Sequence, residues 1–486
     1  MSSLYEGFDH MPIAGAWRRG RSGALVSDRD PYTGEVLAEI SLADATDVDD
    51  AYRAAARIQP SWAATPASGR RAVLEHAAHL IERRREEIIR WLIRESGSVR
   101  AKAELEWRLA HHGLLEASSY PTQLGGKILP ADVPGKENRI YRRAVGVVGV
   151  ISPWNFPFHL SLRAVGPALA TGNAVVLKPA SETPITGGLL IARLFEEAGL
   201  PPAVLNVVVG AGRVIGDAFI DHPIPRAISF TGSTEVGRRI AERAGRGIKR
   251  LCLELGGNTP FIVFDDADLE RALDAAIAGK FLHAGQICIA INRFLVHAAR
   301  HDEFLARFCA RVAALKVGDP ADPDTAIGPI INRTQLERVL RKVVATIAHG
   351  ARAILRGEPV GLILPPIVLA EVTNDMAVAR EEVFGPVAPF LRFVDEADAI
   401  RLANDTSYGL SSAVFTRDAE RGLRVARRLE TGMTHVNDWP VNEEPGAAFG
   451  GEKASGLGRF GGEWGLHEFT THHWISVQEQ PRRYPI

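Results

Sequence analysis

Three observations predict an α/β protein of two or three domains. From residue 145 onward, short β-branched runs alternate with helical periods, the pattern of parallel βαβ units in a doubly wound sheet. The chain has 486 residues, and at about 150 residues per domain that length suggests about three domains. Hydrophobic residues make up 46% and charged residues 24%, the balance of a soluble globular chain with a large core.

The elements follow in order. The first hundred residues read as helical, with apolar residues at three- and four-residue spacing over 43–56 and again over 69–96. Residues 120–142 are rich in Gly, Pro and Lys and lack a helical period, which suits an extended arm, a hairpin or a long loop. Strands are predicted at 145–151, 173–177, 204–209, 227–230 and 249–255. Helices are predicted between them at 184–198, ended by Gly199 and Pro201, and at 237–244. A second alternating block has a strand at 261–264, a helix at 269–282, a strand at 293–297 and a helix at 302–316.

Lys+Arg is 57 and Asp+Glu is 58, a net charge of −1. A strongly basic nucleic-acid binder and an acidic disordered chain are both excluded. Three cysteines, Cys252, Cys288 and Cys309, give no disulfide framework and point to a reducing, cytoplasmic setting. The first ten residues, Met1 to His10, have neither the basic nor the apolar region of a signal peptide. No apolar run approaches the ~20 residues of a membrane helix. The cysteines have no paired metal-ligand spacing, so no metal is expected.

Several motifs carry candidate chemistry. Gly210-Ala-Gly-Arg-Val-Ile-Gly216 follows a strand, but its third glycine comes one residue late for a dinucleotide fingerprint, and phosphates are not placed there. Phe230-Thr-Gly-Ser-Thr-Glu-Val-Gly237 is the better candidate: Gly232 permits a sharp turn, and Ser233 opens a helix whose unpaired N–H groups suit an anion. A plain Ser N-cap explains it equally well. Lys178 ends a strand, where α/β sheets bind ligands, although a surface lysine in a Pro-rich turn reads the same. Glu254 ends the apolar run Leu251-Cys-Leu-Glu-Leu255, where burial would raise its pKa toward that of a useful base. An ion-paired structural carboxylate is the alternative. Cys288 follows a Gly-Gln turn, a setting that suits a thiolate held by backbone dipoles, whereas Cys252 and Cys309 read as core. His283, five residues earlier, is not evidence of a Cys/His pair. In Pro153-Trp-Asn-Phe-Pro157, two prolines present Asn155, whose amide can donate to a developing oxyanion.

The order of these motifs, followed by Glu382-Val-Phe-Gly-Pro386 and Phe449-Gly-Gly-Glu-Lys-Ala-Ser-Gly-Leu-Gly-Arg459, resembles the NAD(P)-dependent aldehyde dehydrogenase superfamily over residues 30–475. Lys280-Phe-Leu-His-Ala-Gly-Gln-Ile-Cys288 and Val436-Asn-Asp-Trp-Pro-Val-Asn-Glu-Glu-Pro445 look most like the benzaldehyde, vanillin and salicylaldehyde dehydrogenases. The resemblance implies a Rossmann-type cofactor domain, an α/β catalytic domain and a β oligomerisation arm. It implies Cys288 as nucleophile, Asn155 and the Cys288 N–H as oxyanion hole, and Glu254 as the base that activates water. It implies Lys178 on the adenosine ribose, Gly232 and Ser233 at the pyrophosphate, Glu382 on the nicotinamide ribose, Phe384 near the nicotinamide and Trp154 on the adenosine side. The expected cofactor is NAD or NADP. The expected substrate is a small aldehyde, benzaldehyde-like before aliphatic or semialdehyde, in a funnel of Trp439, Phe158, Phe449, Ile287 and Ile289. Neither nucleic acid nor membrane is expected as a partner.

Three positions depart from the common pattern. His283 stands where the family often has Asn, in agreement with the aromatic branch. Phe460 follows Arg459 where many members carry a relay Glu, so that relay is in doubt. Ser181 stands where NAD-preferring members hold Glu, with Glu182 one further on, so both cofactors are expected to be usable. A CoA-acylating enzyme is disfavoured by Glu254, and an idle homologue by the intact Cys288, Glu254 and Asn155. The expected division is 1–121 with 145–256 for the dinucleotide, 257–454 for catalysis, and 122–144 with 455–486 for assembly into a homodimer or homotetramer.

Overall fold

Two largely parallel sheets organise the chain, in a computed structural model that describes residues 4–486. The reading of Met1 to Ser3 lies outside the described residues. The first sheet runs in the order Gly456–Leu457, Arg250–Glu254, Ala227–Thr231, Val147–Ile151, Ala174–Lys178, Leu205–Val207. All neighbours are parallel except Gly456–Leu457, which runs antiparallel beside Arg250–Glu254. The chain enters at Val147–Ile151, builds outward to Leu205–Val207, then returns to add Ala227–Thr231 on the other side. The strand order therefore reverses between Val147–Ile151 and Ala227–Thr231, and a ligand crevice belongs at their carboxyl ends. These strands are almost wholly buried, which is why they read as continuous apolar runs.

The second sheet runs Arg352–Leu355, Ile367–Ala370, Val387–Phe393, Arg293–His297, Pro260–Val263, Ala413–Phe415, His435–Val436, parallel except at its first strand. Each sheet has its own apolar core. A third, antiparallel sheet pairs Lys127–Leu129 with Lys136–Ala144, and Lys136–Ala144 with the tail strand Thr470–Gln478. Residues 120–142 are thus mostly a hairpin, the second of the three readings. It leaves Ile128, Tyr141 and Trp474 exposed. Among the described residues, no helix is long and apolar enough to cross a membrane.

The N-terminal region departs from its helical reading. Residues 11–41 form two hairpins, Met11–Ile13 with Ala16–Arg18 and Leu25–Arg29 with Val36–Ser41. Gly15, at φ +88°, makes the tight turn of the first. The helical period over 69–96 splits into Ala67–Arg83 and Arg85–Ser96, because Arg84 leaves helical geometry. A further helix, Arg100–Ser119, follows. The helix at 184–198 starts as a wide turn over Ile185–Leu189 and becomes regular at Leu190–Glu197. There the Ile185 and Thr186 N–H groups donate to the buried Glu95 carboxylate, 2.6 and 2.7 Å away.

Candidate active site

Helix Pro157–Ala170, buried at every residue, supports one wall of the site. Pro157 sits at its first position, where a missing N–H costs nothing. The free N–H groups of Phe158 and His159 donate to Glu106 Oε1, at 2.9 and 3.2 Å. Glu106 is itself paired with the buried Lys102 from the same helix. The start of the helix, and with it the Trp154–Asn155 turn, is therefore anchored to residues fifty positions away.

The nucleophile candidate lies in a strained turn. His283, Ala284 and Gly285 are successive left-handed residues, at φ +52°, +54° and +71°. Non-glycine residues there cost roughly 1–3 kcal/mol each, and such strain clusters at functional sites. Gln286 over-determines the turn: its amide donates to His283 O and Pro329 O and accepts from Ile331 N at 2.9 Å. Among the described residues, the Cys288 N–H meets no acceptor. His283 is buried edge-on against Phe156, and among the described residues neither of its ring nitrogens has a hydrogen-bond partner, Cys288 included.

Cys288 lies where two cavities meet. The first is a cleft of about 320 Å³ at the sheet's reversal point, reached from Trp154, Asn155, Gly232, Ser233, Glu254 and Glu382. The second, about 90 Å³, is an apolar funnel lined by Leu105, Phe156, Ile287, Ile289, Trp439 and Phe449. Cys288 and Asn155 line both. Phe158, expected in the funnel, is fully buried in the core, and Phe156 takes its place. The helix begins at Pro157 and turns the next side chain inward.

Asn155 Nδ2 donates to Gln286 O at 3.1 Å, which fixes the amide and leaves its second hydrogen unassigned. The surroundings of the Cys288 thiol act against the expected backbone dipoles. Desolvation raises its pKa well above the ordinary value, the neighbouring Glu254 raises it further, and Arg163 only partly opposes them. Burial also raises Glu254, against Arg163, whose Nη2 donates to Oε2 at 3.3 Å. Among the described residues, Glu254 Oε1 has no hydrogen-bond partner.

The cleft fits a dinucleotide. Ser233 caps helix Thr234–Arg246, and Arg338 and Lys342 add positive charge to the same cleft. Gly232 leaves the turn uncrowded, since a Cβ there would lie 2.5 Å from the Phe230 ring. The Glu382 carboxylate accepts from Gly257 N at 3.0 Å, and burial raises it to about 7. A Cβ at Gly256 would lie 2.5 Å from Glu382 Oε2, and one at Gly257 2.2 Å from Cys288 O. That is why this motif needs two glycines. Lys178 is buried with one hydrogen bond, to its neighbour's carbonyl at 3.3 Å, and burial lowers it to about 8. An ammonium so poorly served suits ligand hydroxyls. Lys178 ends the neighbouring strand and Ser181 follows it, both outside the residues that line the main cleft. The Trp154 and Phe384 rings meet edge to face at 5.3 Å, so they share one end of the cleft rather than opposite ends. Gly210–Gly216 does not line it.

Sequence reasoning missed Gln286, Gln335, Lys342, Arg163 and Glu443. Gln335 Nε2 holds Phe384 O at 2.9 Å, and Lys342 Nζ holds Glu382 O at 2.6 Å. The 436–445 motif was the available signal for Glu443.

The Aldehyde dehydrogenase family profile matches residues 17–475. Vanillin dehydrogenase of Corynebacterium glutamicum is 50% identical over 483 residues, covering 98% of this chain and 100% of that protein. Benzaldehyde dehydrogenase YfmT of Bacillus subtilis is 50% identical over 481 residues, covering 99% of each. The crystal structure of a NAD-dependent benzaldehyde dehydrogenase from Corynebacterium glutamicum is similar with a TM-score of 0.91 at 47% identity, over 98% of each chain.

Proposed function

The chain belongs to the aldehyde dehydrogenase family, and from that premise we propose that it oxidises benzaldehyde-like aromatic aldehydes to carboxylic acids with NAD(P). One observation carries the reading: Cys288 and Asn155 line both the cleft at the sheet's reversal point and an apolar funnel rich in aromatic side chains. The aldehyde enters by the funnel and the cofactor by the cleft, and they meet at the sulfur.

Cys288 Sγ forms a bond to the aldehyde carbon as its proton passes to Glu254, whose Oε1 is free to accept it. The carbonyl oxygen, now negative, takes hydrogen bonds from the Asn155 amide and the Cys288 N–H. When bound, the dinucleotide supplies the hydride acceptor that leaves a thioester on Cys288. Glu254 passes the thiol's proton on to solvent and then removes one from water; the water oxygen bonds to the acyl carbon, the C–S bond breaks to release the acid, and the departing sulfur takes a proton back. Lys178 would hold ribose hydroxyls, Ser233 a phosphate and Glu382 the second ribose. Glu182 is near enough to Lys178 to raise its pKa, which supports NAD over a 2′-phosphorylated dinucleotide, while Ser181 leaves the latter room.

The division into 1–121 with 145–256, 257–454, and 122–144 with 455–486 is proposed with it. The separate cores of the two large sheets support that division, although Gly456–Leu457 first extends the dinucleotide sheet. A homodimer or homotetramer assembled through the exposed antiparallel sheet is proposed, in the cytoplasm, where three free cysteines suit a reducing compartment. Initial rates with benzaldehyde and with a medium-chain aliphatic aldehyde, each with NAD and with NADP, test the substrate reading. Faster turnover of the aromatic aldehyde supports it. Faster turnover of the aliphatic aldehyde, or activity only with added CoA, overturns it.

A further inference from the structure

Glu443 is a partly buried carboxylate at the site that the chemistry above leaves unused. It comes from the 436–445 motif, in the loop that closes the funnel. Arg163 lies between it and Glu254. The guanidinium donates through Nη2 to Glu254 Oε2 at 3.3 Å and through Nη1 to Glu443 at 3.4 and 3.5 Å. His159, one helical turn before Arg163, places Nε2 3.0 Å from Glu443 Oε2. The rings of Phe449 and Phe460 cover the guanidinium from 4.4 and 4.6 Å. Phe460 brings no charge to the cation, so its second anion, after Glu254, is Glu443.

A guanidinium facing one carboxylate grips both its oxygens with parallel hydrogen bonds. Here only one nitrogen reaches Glu254, the contact is long, and Oε1 is left free. We propose that Glu443 is a positioning residue for Glu254: by drawing Arg163 to its own side, it keeps one oxygen of the base free for water. The inference rests on Glu254 being the base. The same arrangement bears on basicity. Glu254 faces Arg163, Cys288 and Glu443, with Glu382 and Cys252 further off, and Glu443 faces His159 and Arg163. Burial opposes the Glu443 charge, but His159 and Arg163 outweigh it and hold the carboxyl at about 2. Glu443 is therefore ionised throughout the working range. Removing its charge gives Arg163 wholly to Glu254, which lowers the base's pKa and weakens it.

The test compares Glu443→Gln, Glu443→Asp and Glu254→Gln with the parent enzyme, using benzaldehyde and NAD. The readouts are the pre-steady-state burst of NADH and the pH profile of the steady rate. Glu443→Gln is expected to keep the amplitude of the burst and slow the steady rate up to about tenfold. Its acid limb should move down by about one pH unit, the low end of the effect of an opposite charge at this range. Glu443→Asp, which keeps the charge, should return the limb toward the parent. A limb that stays in place in Glu443→Gln overturns the proposal, as does a change confined to the benzaldehyde KM. Glu443→Ala serves the same comparison where the Gln variant fails to fold. A Glu254→Gln enzyme with a normal steady rate after the burst would instead overturn Glu254 as base.

Discussion

Replacing Gly256 with Ala tests whether the Gly-Gly step exists to admit Glu382. The added Cβ would sit 2.5 Å from Glu382 Oε2 and 3.0 Å from its Cδ, so the carboxylate must move. The backbone at Gly256 does not have positive φ, so the substitution adds no strain of its own. The move breaks the 3.0 Å bond from Gly257 N. A hydrogen bond to a charged group contributes about 1.5–3 kcal/mol. If Glu382 holds a ribose, misplacing it should weaken NAD binding by about 10- to 100-fold, at about 1.4 kcal/mol per tenfold. Trp154 lines the same cleft, so quenching of protein fluorescence during NAD titration reads the affinity directly. Glu382→Ala should weaken binding to a similar degree. The double variant should be no worse than Glu382→Ala alone, because both changes act through one carboxylate. Unchanged affinity in Gly256→Ala would refute the reasoning, and so would losses that add in the double variant.

Alkylation by iodoacetamide should modify Cys288 slowly at pH 7 and about tenfold faster per pH unit up to pH 9, since burial and Glu254 keep the thiol protonated. Peptide mass mapping against Cys288→Ala separates it from Cys309, and a plateau below pH 8 would contradict the electrostatic reading. NAD affinity should fall as pH rises through about 8, where the Lys178 ammonium loses its proton and can no longer donate three hydrogen bonds. Calorimetry should show proton uptake on binding above that pH, and Lys178→Met should abolish the dependence. Glu106→Ala should cost about 3–5 kcal/mol in urea unfolding, because it leaves the buried Lys102 ammonium unpaired and two helix N–H groups uncapped. A cost below 1 kcal/mol would show that the pair is dispensable.

The parallel strands from Val147 to Val263 were legible because each is a continuous apolar run bounded by turn residues, and both signals are local. The hairpins before residue 42 were not legible. Their strands are three to six residues long and half exposed, too short to set a period of two against the helical stretches that follow. Asn155 and Cys288 could be singled out because each sits in a turn built from distinctive residues, and Glu254 because it is a carboxylate closing an apolar strand. The pairing of Arg163 with Glu443 gave no such sign: 280 positions separate them, the helix carrying Arg163 reads as plain core, and the 436–445 motif marks Glu443 without naming its partner.

By itself, the sequence determined the alternation of strands and helices, and the residue types at the strand ends, since backbone preference and side-chain chemistry are local properties. Only the tertiary structure decided that burial and Glu254 push the thiol's pKa up, that Trp154 meets Phe384, and that one guanidinium is shared between two carboxylates. Those outcomes depend on which distant groups exclude water from each other, and desolvation is set by packing rather than by neighbours along the chain.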